Sequence, residues 1–285
     1  MDLVFYKLHC LTEDYILINT NSNPELTRDL FPHAAAAICK RRTGAGASGV
    51  IFLTGSGKNV DVELFLAGGA NGYFRSNAVF CASRYLFDSG LVGTDTFSVY
   101  ISGTESVVDV IDSANFRLSL GKPANPGSGS FLVPEPTADY TVPLIVAGKQ
   151  VMVSPIQLQD TFLVHITNTL KKSYLSGLTE EIQHANPQRH TVQPVFLFIQ
   201  SRDECRVRFL KRGTDGFDFS GACAAAGVAA VMNGLTEREL VLQFRSENVF
   251  FQWLPVDNNV YVTAAPRYVY SGDYDFDEST TGGSI

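Results

Sequence analysis

The sequence predicts an α+β protein of two related domains, and three observations carry that expectation. The chain has 285 residues, 45% of them hydrophobic and 18% charged, which is enough to bury two ordinary cores. Short β-rich runs far outnumber helical ones, too many strands for a doubly wound parallel sheet. A strand, a glycine-punctuated loop and a capped helix also recur in both halves. Residues 62–68 lead through 72–76 into a helix stopping near Gly90, and residues 207–213 lead through 216–220 into one stopping near Gly234.

Taken in order, the first seven residues alternate as a strand. Further strands are expected at 50–54, 62–66, 97–102, 106–111, 116–120, 143–146, 161–167, 195–199, 205–210, 240–244, 249–253 and 260–263. Helical periodicity predicts helices at 24–41, 77–88, about 168–185 and 221–233, two per half, with Gly90 and Gly234 as C-terminal stops. Residues 121–130, rich in Gly, Pro and Ser, are the best internal break, and the tail from Ser271, acidic and then Ser/Thr/Gly-rich, is expected to fray.

The charge balance narrows the function classes. With Lys+Arg 22 against Asp+Glu 29, net −7, the chain has one basic run, Lys40-Arg41-Arg42, so no phosphate-backbone footprint and no nucleic-acid partner is expected. The opening residues lack a secretory pattern and no apolar run is long enough to cross a bilayer, which predicts a protein of the cytoplasm without a membrane partner. Cys10, Cys39, Cys81, Cys205 and Cys223 stand singly and read as small buried hydrophobes. His184 and His190 lie close in sequence but have no further ligand at metal spacing, so no metal site is expected.

Each repeat delivers a loop residue onto a helix N-terminus, where unpaired N–H groups and the helix dipole favour an anion such as a substrate carboxylate. Ser76 and Ser220 read as N-caps, and Ala78, Gly221 and Ala222 leave room for close approach. The candidate ligand-binding residues are therefore Arg75, Ser76, Asn77, Ser220 and Gly221. Taken alone, each such helix end is an ordinary cap.

Lys7-Leu8-His9, Arg42 to Gly49, Cys81 to Leu86, Lys211-Arg212-Gly213 and Ser220 to Ala224, in order along nearly the whole chain, together resemble segments of the diaminopimelate epimerases. Ser220-Gly221-Ala222-Cys223-Ala224 resembles the family's Thr/Ser-Gly-Ala-Cys-Ala, and Lys211-Arg212-Gly213 stands where the family has Glu-Arg-Gly. Lys7-Leu8-His9 and Asp14-Tyr15 resemble its opening Lys-Met-His and Asp-Phe. Arg42 to Gly49 resembles its Gly-x-Gly-Ala-Asp-Gly loop, and Cys81 to Leu86 its Cys-Phe-Ala-Arg-Tyr-Leu helix. The resemblance implies two pseudo-symmetric domains, each a mostly antiparallel sheet wrapped around a central helix. It places residues 1–115 plus about 264–272 in one domain, 116–263 in the other, and 273–285 in a disordered tail.

The family interconverts stereoisomers without a cofactor, using one cysteine per domain: a thiolate takes the α-proton from one face and a thiol donates to the other. Spacing from Arg84-Tyr85-Leu86 puts Arg75 at the first cysteine position, and spacing from Ser220 to Cys223 puts Asp218 at the second. An arginine cannot serve as general base at neutral pH, so the two-thiol reaction is excluded at these positions. Glu13, Leu66, Ser48 and Lys211 stand where the family has asparagine, asparagine, aspartate and glutamate, which removes partners of a zwitterionic substrate and argues against diaminopimelate as substrate. Cys81 and Cys223 fall at non-catalytic family positions. If the repeats face one another as in the family, Arg75 and Asp218 are expected to pair across the cleft.

Three functions follow. The first is a lapsed enzyme in a structural or interaction role, forming a homodimer or pairing with a family member. The second is a cofactor-independent isomerase of another small acid with Asp218 as its catalytic residue, as in the phenazine-biosynthesis-type isomerases, which use carboxylates. The third is a binding protein for a small anionic ligand such as an amino acid, anchored by Arg75.

Overall fold

A computed structural model describes residues 1–56, 59–72, 75–101, 103–126, 130–134, 140–146, 148–185, 192–210 and 218–277. These divide into two units, 1–118 with 264–277 and 119–210 with 218–263. The first runs β1 (Asp2–Cys10), β2 (Glu13–Asn19), α1 (Phe31–Ile38), β3 (Gly49–Ser56), β4 (Asn59–Leu66), α2 (Ser76–Asp88), β5 (Thr96–Ile101), β6 (Thr104–Val110) and β7 (Phe116–Ser119). The second runs β8 (Val142–Val146), β9 (Lys149–Gln157), β10 (Thr161–Ile166), α3 (Lys172–Ala185), β11 (Val192–Ile199), β12 (Glu204–Arg208), α4 (Phe219–Met232), β13 (Glu239–Phe244), β14 (Glu247–Trp253) and β15 (Val260–Ala264). A last strand, β16 (Arg267–Asp275), belongs to the first unit.

The strand order of the first unit is β16-β1-β2-β3-β4-β5-β6-β7, parallel at β2/β3 and β4/β5 and antiparallel elsewhere. That of the second is β8-β9-β10-β11-β12-β13-β14-β15, parallel at β10/β11 and β12/β13. A parallel pair needs a crossover, and in each unit a helix supplies it: α1 and α2 in the first, α3 and α4 in the second. The molecule is thus α+β, as the sequence predicts, and the same chain path is used twice.

Packing follows from the apolar pattern. On β1, Leu3 and Phe5 share a core with Phe31, Ala34, Ala35 and Ile38 of α1, while Tyr6 meets Tyr85 of α2, so alternate residues serve different helices. Phe52 stacks on Phe31 at 4.0 Å and meets Phe65 edge-on at 5.6 Å. Helix α4 is buried on every side, and its small residues let the sheet close in; a Cβ on Gly227 would lie 2.6 Å from the Phe251 ring. Helices α2 and α4 end alike: Leu91 N–H reaches back to the Leu86 carbonyl and Leu235 N–H to that of Ala230, with Gly90 and Gly234 at φ +67 and +66. Both glycines stop the helices the sequence assigns them.

Some expectations need correction. Helix α1 spans Phe31–Ile38, not 24–41, because Pro32 favours a start at the first turn and Asn23 is engaged in bonding both backbone groups of Val4. Helix α3 begins at Lys172 rather than 168, since the Thr167 hydroxyl donates to the Thr169 carbonyl and accepts from the Thr169 N–H in a local turn. Three strands are additional: β2, β9 and β16. β2 is covered on both faces and so lacks alternation. β9 contains Pro155, tolerated because its register there is with β10 and no longer with β8. The end expected to fray from Ser271 is strand through Asp275, paired to Asp2, and Met1 and Phe276 exchange backbone hydrogen bonds of 2.8 Å. Lys211, Arg212, Gly213, Gly216, His190 and residues 278–285 lie outside the described residues.

Candidate functional site

In the first unit the loop after β4 turns back on itself before α2. Leu66 N–H bonds the Ala70 carbonyl, and Gly72 N–H bonds that of Leu64, an approach so close that a Cβ on Gly72 would meet the Leu64 side chain at 2.6 Å. This delivers Arg75 to the N-cap of α2 in extended conformation, φ −141 and ψ 114. Arg75 is only 7% exposed, and Ser76 and Asn77 behind it are fully buried.

In the second unit Asp218 takes the corresponding place, the N-cap of α4, at φ −80 and ψ 95, and is 2% exposed. Its side chain does not cap the helix. Instead a Cβ on Gly221 would come within 2.5 Å of Oδ2 and 3.2 Å of the Phe162 ring, so only glycine admits this carboxylate position. Ser76 and Ser220, expected as N-caps, are inside their helices; Arg75 and Asp218 are the caps, because the backbone turns helical only after them. The structure therefore gathers Arg75, Ser76 and Asn77 at the head of α2, and Asp218, Ser220 and Gly221 at the head of α4.

Sequence reasoning passed over one residue here, Glu13, treating it only as a lost asparagine. It opens β2, is 3% exposed, and its Oε2 accepts from the Tyr15 hydroxyl at 2.9 Å and from Asn77 Nδ2 at 3.3 Å. Burial, then the charge and hydrogen bond of Glu13, hold the Tyr15 phenol well above its ordinary value, which keeps it a donor. A charged residue starting an otherwise apolar run was the signal. A cavity of about 980 Å³ in this unit is lined by Arg28, Asp61, Glu63, Asn71 and Tyr100 among others, and by Leu64 and Gly72 of the turn that leads to Arg75.

All five cysteines are unbridged and buried. Burial raises the Cys39 thiol to about 12 and that of Cys205 to about 11, and burial with the charge of Asp218 raises Cys223 further. Among the described residues no three His, Cys, Asp or Glu side chains gather to hold a metal ion, and no helix is long and apolar enough to cross a membrane.

No family model matches the chain. It is 27% identical over 281 residues to the diaminopimelate epimerase of Pelotomaculum thermopropionicum, covering 95% of this chain and 99% of that one. It is 26% identical over 289 residues to the enzyme of the same name from Moorella thermoacetica, covering 96% and 99%. Diaminopimelate epimerases are homologues of this chain. The epimerase-like fold extends to a crystal structure of a phenazine biosynthesis protein of the PhzF family from Enterococcus faecalis, with TM-score 0.66 at 13% identity over 97% of this chain and 100% of that one.

Proposed function

We propose that this diaminopimelate-epimerase-like protein has given up two-thiol proton exchange and is a lapsed enzyme with a structural or interaction role. The observation that carries the reading is the state of its thiols: every cysteine is buried, and those of Cys39, Cys205 and Cys223 are raised away from the thiolate. Two-thiol exchange needs a thiolate within reach of substrate, and a helix N-terminus is where a protein stabilises one. Here the residues heading α2 and α4 are Arg75 and Asp218. In this reading they occupy the two cysteine positions, and a guanidinium cannot remove an α-proton at neutral pH. Five unbridged cysteines fit a reducing compartment, and we place the protein in the cytoplasm, as a homodimer or paired with a family member.

The test is incubation in deuterated water with diaminopimelate and a panel of amino and hydroxy acids, read by mass spectrometry. The expected result is no α-deuterium above a protein-free control. A second reading is favoured by the buried Asp218 carboxylate seated over Gly221: a one-carboxylate isomerase of another small acid. Exchange that persists in Cys223→Ala and Cys81→Ala but vanishes in Asp218→Asn would establish it. Exchange lost with the cysteines would overturn both. Without exchange, thermal stabilisation by small carboxylates or phosphate that disappears in Arg75→Ala would assign anion binding instead.

A further inference from the structure

The cluster around Glu13 is built from one side of the first unit, and its parts are unusual for a strand end. The β1–β2 turn consists of Leu11 and Thr12 at φ 49 and 66, a left-handed pair normally given to Asn and Gly. A β-branched threonine there is strained, and such strain persists only where the surroundings hold it. Leu11 is buried and anchors the turn, and the register Cys10↔Glu13 closes it. The consequence is that Glu13, the first residue of β2, sits inside the protein rather than in water.

What surrounds its carboxylate is a set of donors. The Tyr15 hydroxyl and Asn77 Nδ2 converge on one oxygen, Oε2. Asn77 is the second residue of α2, so the carboxylate lies by the positive end of that helix, beside a first turn headed by the buried Arg75. A buried carboxylate survives only where charge and hydrogen bonds replace water, and this place supplies both.

We propose that Glu13 is an internal ligand: its carboxylate fills the donor-lined place at the N-terminus of α2 that a small carboxylate would otherwise take, and so closes this unit to anionic ligands. The inference deepens the lapsed-enzyme reading and rests on it, because a site filled by its own chain has no use for a substrate carboxylate. Glu13 is then the residue that decides which ligands this unit refuses.

Thermal denaturation of full-length wild type and Glu13→Ala, with and without added carboxylates, tests it. Removing the carboxylate takes from the buried Tyr15 hydroxyl its acceptor and from Asn77 one of its bonds, so the variant is expected to lose roughly 5 °C in Tm. About 50 mM acetate or propionate is expected to restore at least half of that loss, with no effect from equal chloride or methylammonium, and to leave wild type unmoved. A variant destabilised without carboxylate-specific recovery, or a wild type stabilised as strongly as the variant, would overturn the proposal. If Glu13→Ala does not fold, Glu13→Gln decides: the isosteric amide still fills the place, so a lower Tm with no response to acetate is expected. A glutamine variant as stable as wild type would show that the place is not made for an anion. Isotope exchange plays no part in these readouts, so a failure here and a failure of the lapsed-enzyme reading are separately visible.

Discussion

Asp14 shows how much one side chain can organise. Its carboxylate accepts from Arg41 at 2.9 and 3.0 Å and from the Ser48 hydroxyl at 3.0 Å, with the Lys7 ammonium 3.2 Å away. Lys7 also donates to the Gly46 carbonyl, so these bonds tie the loop before β3 to β1 and β2. Burial pushes the Asp14 carboxyl up, but the hydrogen bonds from Arg41, Lys7 and Ser48 outweigh it and bring it from the ordinary 3.8 to about 2. A native value below the unfolded one means the stabilisation is complete above about pH 4 and is lost as pH falls towards 2. Because Arg41 is largely exposed and screened, about 1–2 kcal/mol is expected from this residue. Urea melts from about pH 2 to pH 5 should show that acid dependence in wild type and its loss in Asp14→Asn. The buried thiols make a second expectation at this scale: a water-soluble disulfide reagent should leave the native cysteines almost unmodified and titrate all five after denaturation.

At the scale of elements, the two central helices were legible in the sequence because small residues, glycine stops and loop glycines stand together around each. Their glycines have different reasons to be there. Alanine at Gly227 would gain helix propensity of up to about 1 kcal/mol, but its Cβ would meet a fully buried Phe251 ring that has nowhere to move. A net loss of about 1–2 kcal/mol is expected for Gly227→Ala in chemical denaturation. At Gly90 a Cβ meets nothing, and the cost of Gly90→Ala comes from φ +67 alone, about 1 kcal/mol. Equal stability of the Gly227→Ala variant and wild type would mean that the sheet yields around α4. Of the three strands missed, β2 and β9 were hidden for local reasons, a run buried on both faces and an interior proline, and each is explained only once its neighbours are known.

For the whole molecule, the doubled chain path is the main feature, and each unit repeats the same sequence of antiparallel and parallel pairings. The first unit needs both ends of the chain to complete it, since β16 pairs with β1 and Phe276, 1% exposed, packs into the core formed by α1, β1, β2 and β3. Phe276→Ala is therefore expected to cost about 3–5 kcal/mol although it lies near the end of the chain. Calorimetry on the full-length variant checks this, and a Tm within a degree or so of wild type would refute it.

The sequence by itself determined the fold class, the repeat and the presence of α2 and α4, because periodicity, glycine punctuation and a resemblance spread along the chain are local or ordered signals. Arg75 and Asp218 could be named by counting along the chain from the motifs that carry the resemblance. Only the tertiary structure decided that Arg267–Asp275 is a strand, that these two residues rather than the serines are the caps, and that Glu13 is buried among donors. Two of these depend on partners far away in sequence: β1 for β16 and Asn77 for Glu13. Burial and hydrogen-bond convergence arise from packing across such distances, which composition and spacing do not encode.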